Sequence, residues 1–134
     1  MDGYGKRVLV VDDDENTRSL IGILLEHAGY NVVQVCDGLD ALQEIKRRHF
    51  DVVVTDWAMP LLNGLELIQR IQEISPQMPV ILVSGTLPER RQSVDASHRF
   101  TCLRKPFDNY EFLDLVRSAA QVSVSDMAST ISSR

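Results

Sequence analysis

The sequence predicts an α/β fold: a doubly wound, five-stranded parallel sheet in the order 2-1-3-4-5 with five flanking helices. Short apolar runs alternate along the chain with longer segments whose apolar residues recur at helical spacing, as right-handed βαβ units require. The runs are rich in β-branched residues, which is typical of strands buried on both faces. Four of them end at a polar site, namely Asp12-Asp13, Asp56, Ser84 and Lys105-Pro106.

Each predicted strand is a short run of four or five residues, and the first four runs are dominated by Val, Ile and Leu. The runs RVLVV, VVQVC, VVVT, VILV and FTCL occupy 7–11, 32–36, 52–55, 80–83 and 100–103. Cys36 and Cys102 lie in these runs without the spacing of a metal site or a C-x-x-C pair. We therefore expect two small buried apolar side chains and no disulfide.

Five predicted helices follow the strands, at 15–28, 39–48, 65–74, 88–97 and 108–122. The apolar faces of the first, second and last comprise Leu20, Ile21, Leu24 and Leu25; Leu39, Leu42 and Ile45; and Phe112, Leu115 and Val116. Asp14 or Asn16 can cap the first helix, and Asp108 or Asn109 the last. Gly29 follows the end of the first helix, and two prolines stop the third. The fourth helix carries the weakest apolar pattern.

Length and composition predict one domain, which we place at 6–122 of the 134 residues. The remaining segment, 123–134, is Ser-rich without aromatic residues, and we expect a linker or a disordered tail. A net charge of −5 without a long basic run argues against direct nucleic-acid binding. No apolar stretch approaches the roughly 18 residues of a membrane span, and MDGYGKR does not resemble a signal peptide. The expected location is the cytoplasm, with no membrane partner.

The order 2-1-3-4-5 is flavodoxin-like, and its switch point lies between strands one and three. Asp12, Asp13 and Asp56 end those strands, so three carboxylates should meet there. Such a group repels itself unless some members protonate or a cation sits between them. Oxygen ligands without His or Cys favour Mg²⁺ or another hard divalent ion. Lys105 could neutralise a carboxylate or a bound anion, and the Ser84 hydroxyl could hydrogen-bond that anion.

This set of groups suits phosphoryl transfer to a carboxylate, with Asp56 as the nucleophile. A metal ion and an ammonium group would neutralise charge on the oxygens of the transferring group. The sequence has no Gly-rich phosphate loop, so ATP is not an obvious donor. Its three histidines, His27, His49 and His98, fall on helices or at helix ends, away from the predicted site. The phosphoryl donor must therefore be another molecule.

The segments VLVVDDDENTR, DVVVTDWAMPLLNGLEL, PVILVSG and LRKPF occur in this order. Together they resemble the receiver domain of two-component response regulators over roughly 6–121. The resemblance implies that Asp56 is the phosphoacceptor and that Asp12, Asp13, Asp56 and the backbone carbonyl of Ala58 bind Mg²⁺. It implies that Ser84 contacts the phosphoryl group, that Lys105 pairs with it, and that the Lys105-Pro106 bond is cis.

The resemblance also implies the partners and the reaction. The donor is a phosphohistidine of a sensor kinase or phosphotransfer protein, and phosphorylation switches the conformation to control a partner or output. The domain is not an enzyme in the usual sense, since it catalyses its own phosphorylation and a slow autodephosphorylation. Receiver domains often form homodimers through the fourth helix, fifth strand and fifth helix. The first helix docks the kinase, with Arg18 and the Pro106-Phe107 loop as candidate contacts.

The chain departs from the family pattern at three places. Cys102 stands where the family usually has an aromatic switch residue, three positions before the lysine, although Phe100 lies on the same strand face. Ala58 offers no polar side chain to orient a hydrolytic water, and the stretch from Ser84 to Lys105 is about one residue short. These departures concern the output switch more than the phosphoryl chemistry. The alternative function is a pseudo-receiver that docks partners without phosphorylation.

Two other classes of protein fit less well. A haloacid-dehalogenase type of hydrolase needs D-x-D after the first strand, whereas Asp56 ends the third strand and is followed two residues later by Ala58. A flavin-binding protein of the same fold needs a hydroxyl-rich phosphate loop after the first strand, and the acidic DDDEN found there would repel phosphate.

Overall fold

The computed structural model describes residues 5–85 and 100–132. Its strands are β1 (Arg7–Val11), β2 (Asn31–Val35), β3 (Val52–Asp56), β4 (Val80–Ser84) and β5 (Phe100–Arg104). Its helices are α1 (Glu15–His27), α2 (Gly38–Arg47), α3 (Gly64–Ile74) and α4 (Asn109–Ser132). The helix predicted over 88–97 lies outside the described residues, so α4 corresponds to the last predicted helix.

The five strands form one parallel sheet in the order β2-β1-β3-β4-β5, which confirms the predicted fold class. Both β3 and β4 are buried along all five residues, as their apolar composition predicts. Alternate strand residues face two separate cores. On one face, Val53 and Leu82 pack with α2 and α3. On the other face, Val54 and Val83 pack with α1 and α4.

Polar caps fix where the helices begin. The Asp14 carboxylate accepts a hydrogen bond from the Thr17 amide, so Asp14 rather than Asn16 caps α1. Gly29, just past the end of α1, has a φ of 98°, a left-handed conformation that glycine adopts without strain. Helix α3 begins with a capping box between Asn63 and Glu66, which we did not predict although the N-x-x-E spacing is typical of one.

Three apolar side chains expected in the interior are exposed instead. Leu20 on α1 and Leu39 on α2 are 68% and 50% exposed. Cys36 is also exposed, because β2 is an edge strand that ends one residue before it. Neither Cys36 nor Cys102 forms a disulfide bond within the described residues. The apolar residues of α1 and α2 lie on helices, as their spacing predicts. Each apolar face, however, is wider than the part of the helix that the sheet covers.

Helix α4 continues to Ser132, past Val122, where the sequence predicted that it would end. Neither Gly nor Pro occurs after Pro106, so no residue of that kind interrupts the helix. The helical backbone therefore continues over 123–132, beyond the predicted end of the helix, while a linker or disordered tail over 123–134 stays a prediction. The domain boundary at 122 and a linker role for this segment stay predictions. None of the helices in the described residues is both long and apolar enough to cross a bilayer.

Candidate functional site

The carboxyl ends of the strands gather the predicted polar residues at one edge of the sheet. In the sheet register, Val11 lies opposite Thr55, Asp56 opposite Val83, and Ser84 opposite Arg104. Because the strands are parallel, residues that follow each of them emerge side by side at this edge. The edge therefore combines residues that lie far apart in the sequence.

Three carboxylates converge there. Carboxylate oxygens of Asp12, Asp13 and Asp56 all lie within 4.8 Å of one another. Asp12 and Asp56 are buried, at 1% and 9% exposure, whereas Asp13 faces solvent. The site is thus open on the Asp13 side and closed beneath the other two carboxylates.

The ammonium group of Lys105 lies between the two buried carboxylates. Its Nζ is 3.6 Å from Asp12 Oδ2 and 3.7 Å from Asp56 Oδ1. The Lys105 amide donates to the carbonyl of Ser84, at 3.0 Å, which ties the start of the following loop to the end of β4. Ser84 itself is buried, and the Lys105-Pro106 peptide bond is cis, as expected.

Burial raises the pKa of both Asp12 and Asp56 above the ordinary aspartate value. For Asp12, a hydrogen bond from the Asp14 amide and the charge of Lys105 offset part of this effect on the pKa. For Asp56, Lys105 is the main opposing influence on the pKa, and the neighbouring Asp12 carboxylate raises it further. The single ammonium group therefore compensates the two buried charges incompletely.

These residues fit a hard divalent cation. Within the described residues, Asp12 Oδ2 is buried and accepts no hydrogen bond, since Lys105 Nζ is too distant for one. Such an oxygen beside two further carboxylates provides the ligand type that Mg²⁺ prefers. Ala58, whose carbonyl was expected to be a further ligand, follows in the exposed loop between β3 and α3.

The loop after Asp56 is held by a close backbone approach at Gly64. The Gly64 amide donates to the carbonyl of Trp57 at 2.8 Å. A Cβ atom at this position would lie 2.7 Å from the Asp56 carbonyl oxygen and 2.6 Å from a Leu82 methyl group. Only glycine fits without displacement, so this residue fixes the backbone that carries Asp56.

Sequence reasoning missed one contact in the site. The guanidinium of Arg18 donates to the carbonyl of Asp12 at 2.7 Å and so secures the turn that presents Asp12 and Asp13. Arg18 was considered only as a docking residue. The contact depends on where α1 begins, and the sequence signal for it was limited to the position of Arg18 on the first turn of that helix.

A groove of about 700 Å³ adjoins the site along α1. Its floor includes Ile21, which is buried, whereas Leu20 and Ile23 stand exposed along it, at 68% and 54%. The full lining consists of Thr17, Leu20, Ile21, Ile23, Leu24, His27, Lys105, Pro106, Phe107 and Asn109. Since Lys105 belongs to both, the groove is continuous with the carboxylate site.

Comparisons with known proteins agree with this geometry. The family described as response regulator receiver domain matches residues 8–117. The response regulator receiver protein CpdR of Brucella abortus is 32% identical over 103 residues, which cover 76% of this chain and 86% of CpdR. The response regulator protein TrrA of Thermotoga maritima, solved in complex with Mg(2+)-BeF, superposes with a TM-score of 0.77 at 28% identity, covering 85% of this chain and 98% of TrrA.

A similar segment also occurs within much longer proteins. The autoinducer 1 sensor kinase/phosphatase LuxN of Vibrio campbellii is 41% identical over 83 residues, which is 62% of this chain and 10% of LuxN. The chain thus spans a tenth of the length of that relative. The family match takes in all five strands except the first residue of β1, together with every site residue from Asp12 to Lys105. The chain belongs to the response regulator receiver domain family, whose members are signalling domains of two-component systems.

Proposed function

We propose that this chain accepts a phosphoryl group on Asp56 from a phosphohistidine of a sensor kinase or phosphotransfer protein, with Mg²⁺, and then controls a partner or output. One observation carries the proposal: three converging carboxylates with an ammonium group 3.6–3.7 Å from the two buried ones. A purely structural cluster would pair its charges, whereas this one leaves a buried oxygen available and excess negative charge uncompensated.

In the transfer, a carboxylate oxygen of Asp56 attacks phosphorus, and the bond between phosphorus and the donor imidazole nitrogen breaks. The electron pair of that bond returns to the imidazole, and the product is an acyl phosphate on Asp56. Lys105, 3.7 Å from Asp56 Oδ1, is placed to stabilise charge on the phosphoryl oxygens. The β3 backbone and Gly64 hold Asp56 in place, so little reorganisation is needed.

Asp12, Asp13, Asp56 and the Ala58 carbonyl would hold the Mg²⁺ ion. When bound, the ion neutralises the carboxylates and the incoming phosphoryl oxygens. Loss of the phosphoryl group requires water to attack the acyl phosphate, which releases inorganic phosphate and restores the carboxylate. The Ala58 side chain cannot position that water, and this supports slow autodephosphorylation.

The proposed conformational signal begins at Ser84, which is buried at the end of β4. Its hydroxyl would move toward the phosphoryl group on Asp56. Phe100 and Cys102 lie on the adjacent strand β5 and pack against the core shared with α2 and α3. Because Cys102 is small, we propose that it transmits the signal to the outer surface of β5 more weakly than an aromatic residue at this position would.

Amide chemical shifts with and without beryllofluoride plus Mg²⁺ test the weak coupling. We expect changes concentrated around Asp56 and Ser84, with small changes along β5. Large, coherent changes over 88–103 that persist in Ser84→Ala would contradict this part of the proposal.

The groove along α1 supports the proposed partner. An apolar helix of the donor protein could bury Leu20 and Ile23 while its phosphohistidine faces Asp56, because Lys105 lines both the groove and the carboxylate site. Homodimerisation through the predicted fourth helix, β5 and α4 is a further proposal, to be tested by the mass in solution with and without beryllofluoride. We propose no direct nucleic-acid partner, since the net charge is −5, and a cytoplasmic location, where such donors would meet this chain.

Trp57 fluorescence provides the first test of the function, since Trp57 adjoins Asp56 and is partly exposed. Mg²⁺ is added first and acetyl phosphate second. We expect a response to each addition in the parent chain, and loss of the acetyl phosphate response in Asp56→Asn. A parent chain that responds to neither would favour the alternative of a docking module that is not phosphorylated.

A further inference from the structure

Arg18 holds the backbone of Asp12 just beyond the point where β1 ends. The strand ends at Val11, and its pairing with β3 ends there too, opposite Thr55. The Asp12 amide still donates to the Val35 carbonyl, at 3.2 Å, and the Asp12 carbonyl accepts a hydrogen bond from the Arg18 guanidinium, at 2.7 Å. Because Asp12 is only 1% exposed, loss of the guanidinium would leave this carbonyl to water or without a partner, which costs free energy.

Every other hydrogen bond of Asp12 in the described part of the chain comes from the backbone. Its carboxylate oxygen Oδ1 accepts the Asp14 amide at 2.9 Å, whereas Oδ2 accepts no hydrogen bond there. Among those residues, Arg18 is therefore the one side chain that holds Asp12 by a hydrogen bond. With its carbonyl and Oδ1 both fixed, Asp12 has little freedom to turn Oδ2 away from the site.

The position of Arg18 on α1 makes this contact possible. Helix α1 begins at Glu15, after its Asp14 cap, and the Arg18 amide donates to the Asp14 carbonyl at 2.9 Å. Side chains of an α-helix slant toward its N-terminus, so a long side chain one turn into α1 reaches back to the residues that precede the helix. A cation near a helix N-terminus opposes the helix macrodipole. Arginine is therefore unfavourable for α1 itself, and the hydrogen bond to Asp12 offsets that cost.

We propose that Arg18 is a positioning residue for the metal site: its guanidinium fixes the Asp12 main chain so that Oδ2 faces a Mg²⁺ ion shared with Asp13 and Asp56. The inference rests on the Mg²⁺ site of the proposed function, and it replaces the docking role that the resemblance suggests for Arg18. The guanidinium is engaged with Asp12, and Arg18 is not among the residues that line the groove along α1. Removing a group that holds a metal ligand in this way typically weakens metal binding by about 10–100-fold.

Three variants separate positioning from docking and from a general loss of the fold. Arg18→Met removes the donor and the charge but keeps an unbranched side chain, whereas Arg18→Lys keeps the charge and a donor. Arg47→Met is the matched control, because Arg47 is 64% exposed at the end of α2, at the edge where the strands begin. Mg²⁺ is titrated against Trp57 fluorescence and against Tm. Each variant is then phosphorylated with acetyl phosphate, at limiting and saturating Mg²⁺, and with a histidine-phosphorylated phosphotransfer domain.

For Arg18→Met we expect a Kd for Mg²⁺ about tenfold above that of the parent, and a smaller rise in Tm at a given Mg²⁺ concentration. Its rate with acetyl phosphate should fall by about the same factor at limiting Mg²⁺ and return close to the parent rate at saturating Mg²⁺. Arg18→Lys should lie closer to the parent in both the Kd and the rate, and Arg47→Met should match the parent. Recovery at saturating Mg²⁺ distinguishes a positioning role from a damaged fold.

Two results would overturn the positioning role. If Arg18→Met bound Mg²⁺ as tightly as the parent and lost rate only with the protein donor, Arg18 would be a docking residue. If its loss of rate with acetyl phosphate persisted at saturating Mg²⁺, Arg18 would serve the fold or the transfer itself. A parent chain that binds Mg²⁺ but that neither donor can load would overturn the proposed function and leave the positioning role standing. A parent chain that binds no Mg²⁺ would overturn both.

Discussion

The carboxylates at the two edges of the central sheet differ in how fully hydrogen bonds and neighbouring charges compensate them. At the edge where the strands begin, the Asp51 carboxylate accepts the Arg7 amide at 2.8 Å and lies 3.2 Å from His49 Nε2. The Arg7 guanidinium donates to the His49 carbonyl and sits over the Phe50 ring, 6.0 Å from its centroid. At the edge where the strands end, Asp12 keeps a buried oxygen without a hydrogen bond among the described residues, and the pKa of Asp12 and Asp56 is raised.

The difference distinguishes an edge that stabilises the fold from an edge that holds the candidate site. Hydrogen bonds at the first edge join β1 to the segment before β3, and both oxygens of the Asp51 carboxylate have a partner there. Buried carboxylates at the second edge destabilise the fold until a cation neutralises part of their charge. A receiver domain can use such an edge as a switch, because any ligand that relieves the repulsion also stabilises the liganded state.

The largest expected effect comes from Gly64→Ala, which distorts the second edge. The added methyl group would meet backbone and core atoms at 2.6–2.7 Å, so we expect a loss of about 1–3 kcal/mol in the free energy of unfolding. The Trp57 response to Mg²⁺ should weaken at the same time, because the Asp56 backbone must move. Urea unfolding and a Mg²⁺ titration measure the two effects. Gly85→Ala, at a position with open space around its Cβ and without a positive φ, controls for the substitution itself. If Gly64→Ala kept both the free energy of unfolding and the Mg²⁺ response of the parent, the close approach at Gly64 would be unimportant.

An intermediate effect, opposite in sign at the two edges, is expected for matched Asp→Asn substitutions. Without Mg²⁺, Asp12→Asn should raise the free energy of unfolding by about 1 kcal/mol, because it removes a poorly compensated buried charge. Asp51→Asn should lower it by about 0.5–1 kcal/mol, because it weakens a paired acceptor.

Denaturant unfolding in a metal chelator compares these two variants with the parent. Adding Mg²⁺ should then stabilise the parent and Asp51→Asn but not Asp12→Asn. A loss of stability in both variants under chelation would contradict the assignment of opposite roles to the two edges.

The smallest expected effect is a pH dependence of the second edge. Because the folded-state pKa of Asp12 and Asp56 is above the unfolded value of 3.8, protonation favours the folded state. Their favourable contribution to the stability of the folded state is complete below pH 3.8. It is lost as the pH rises through the raised pKa values of the folded state. The stabilisation by Mg²⁺ should therefore shrink as the pH falls from neutral toward 4, because protons compete with the metal. Thermal unfolding with and without Mg²⁺ measures this. A Mg²⁺ effect that grows on acidification would contradict it.

Much of the fold was predictable because its main signals are local. The apolar runs identified β1, β3 and β4 almost to the residue, since strands buried on both faces cannot be polar. The strand ends likewise placed Asp12, Asp56 and Lys105 together, because parallel strands share one edge.

The features that sequence reasoning missed depend on tertiary contacts. The exposure of Leu20 follows from how much of α1 the sheet can cover, which helical spacing alone does not define. The contact from Arg18 to the Asp12 carbonyl, and the left-handed backbone of Leu61 with its φ of 70°, arise from the packing of loops. The continuation of α4 beyond Val122 was missed because a Ser-rich composition was interpreted as disorder, although no Gly or Pro interrupts the segment.

We expect the incompletely compensated edge of the sheet to receive a phosphoryl group on Asp56. Intact-protein mass spectrometry after incubation with acetyl phosphate and Mg²⁺ tests it most directly, with Asp56→Asn and a chelated sample beside the parent. We predict a mass increase of one phosphoryl group in the parent, lost on hydroxylamine treatment as an acyl phosphate should be, and absent from both controls. An unmodified parent, or an equal modification of Asp56→Asn, would show that Asp56 is not the phosphoacceptor.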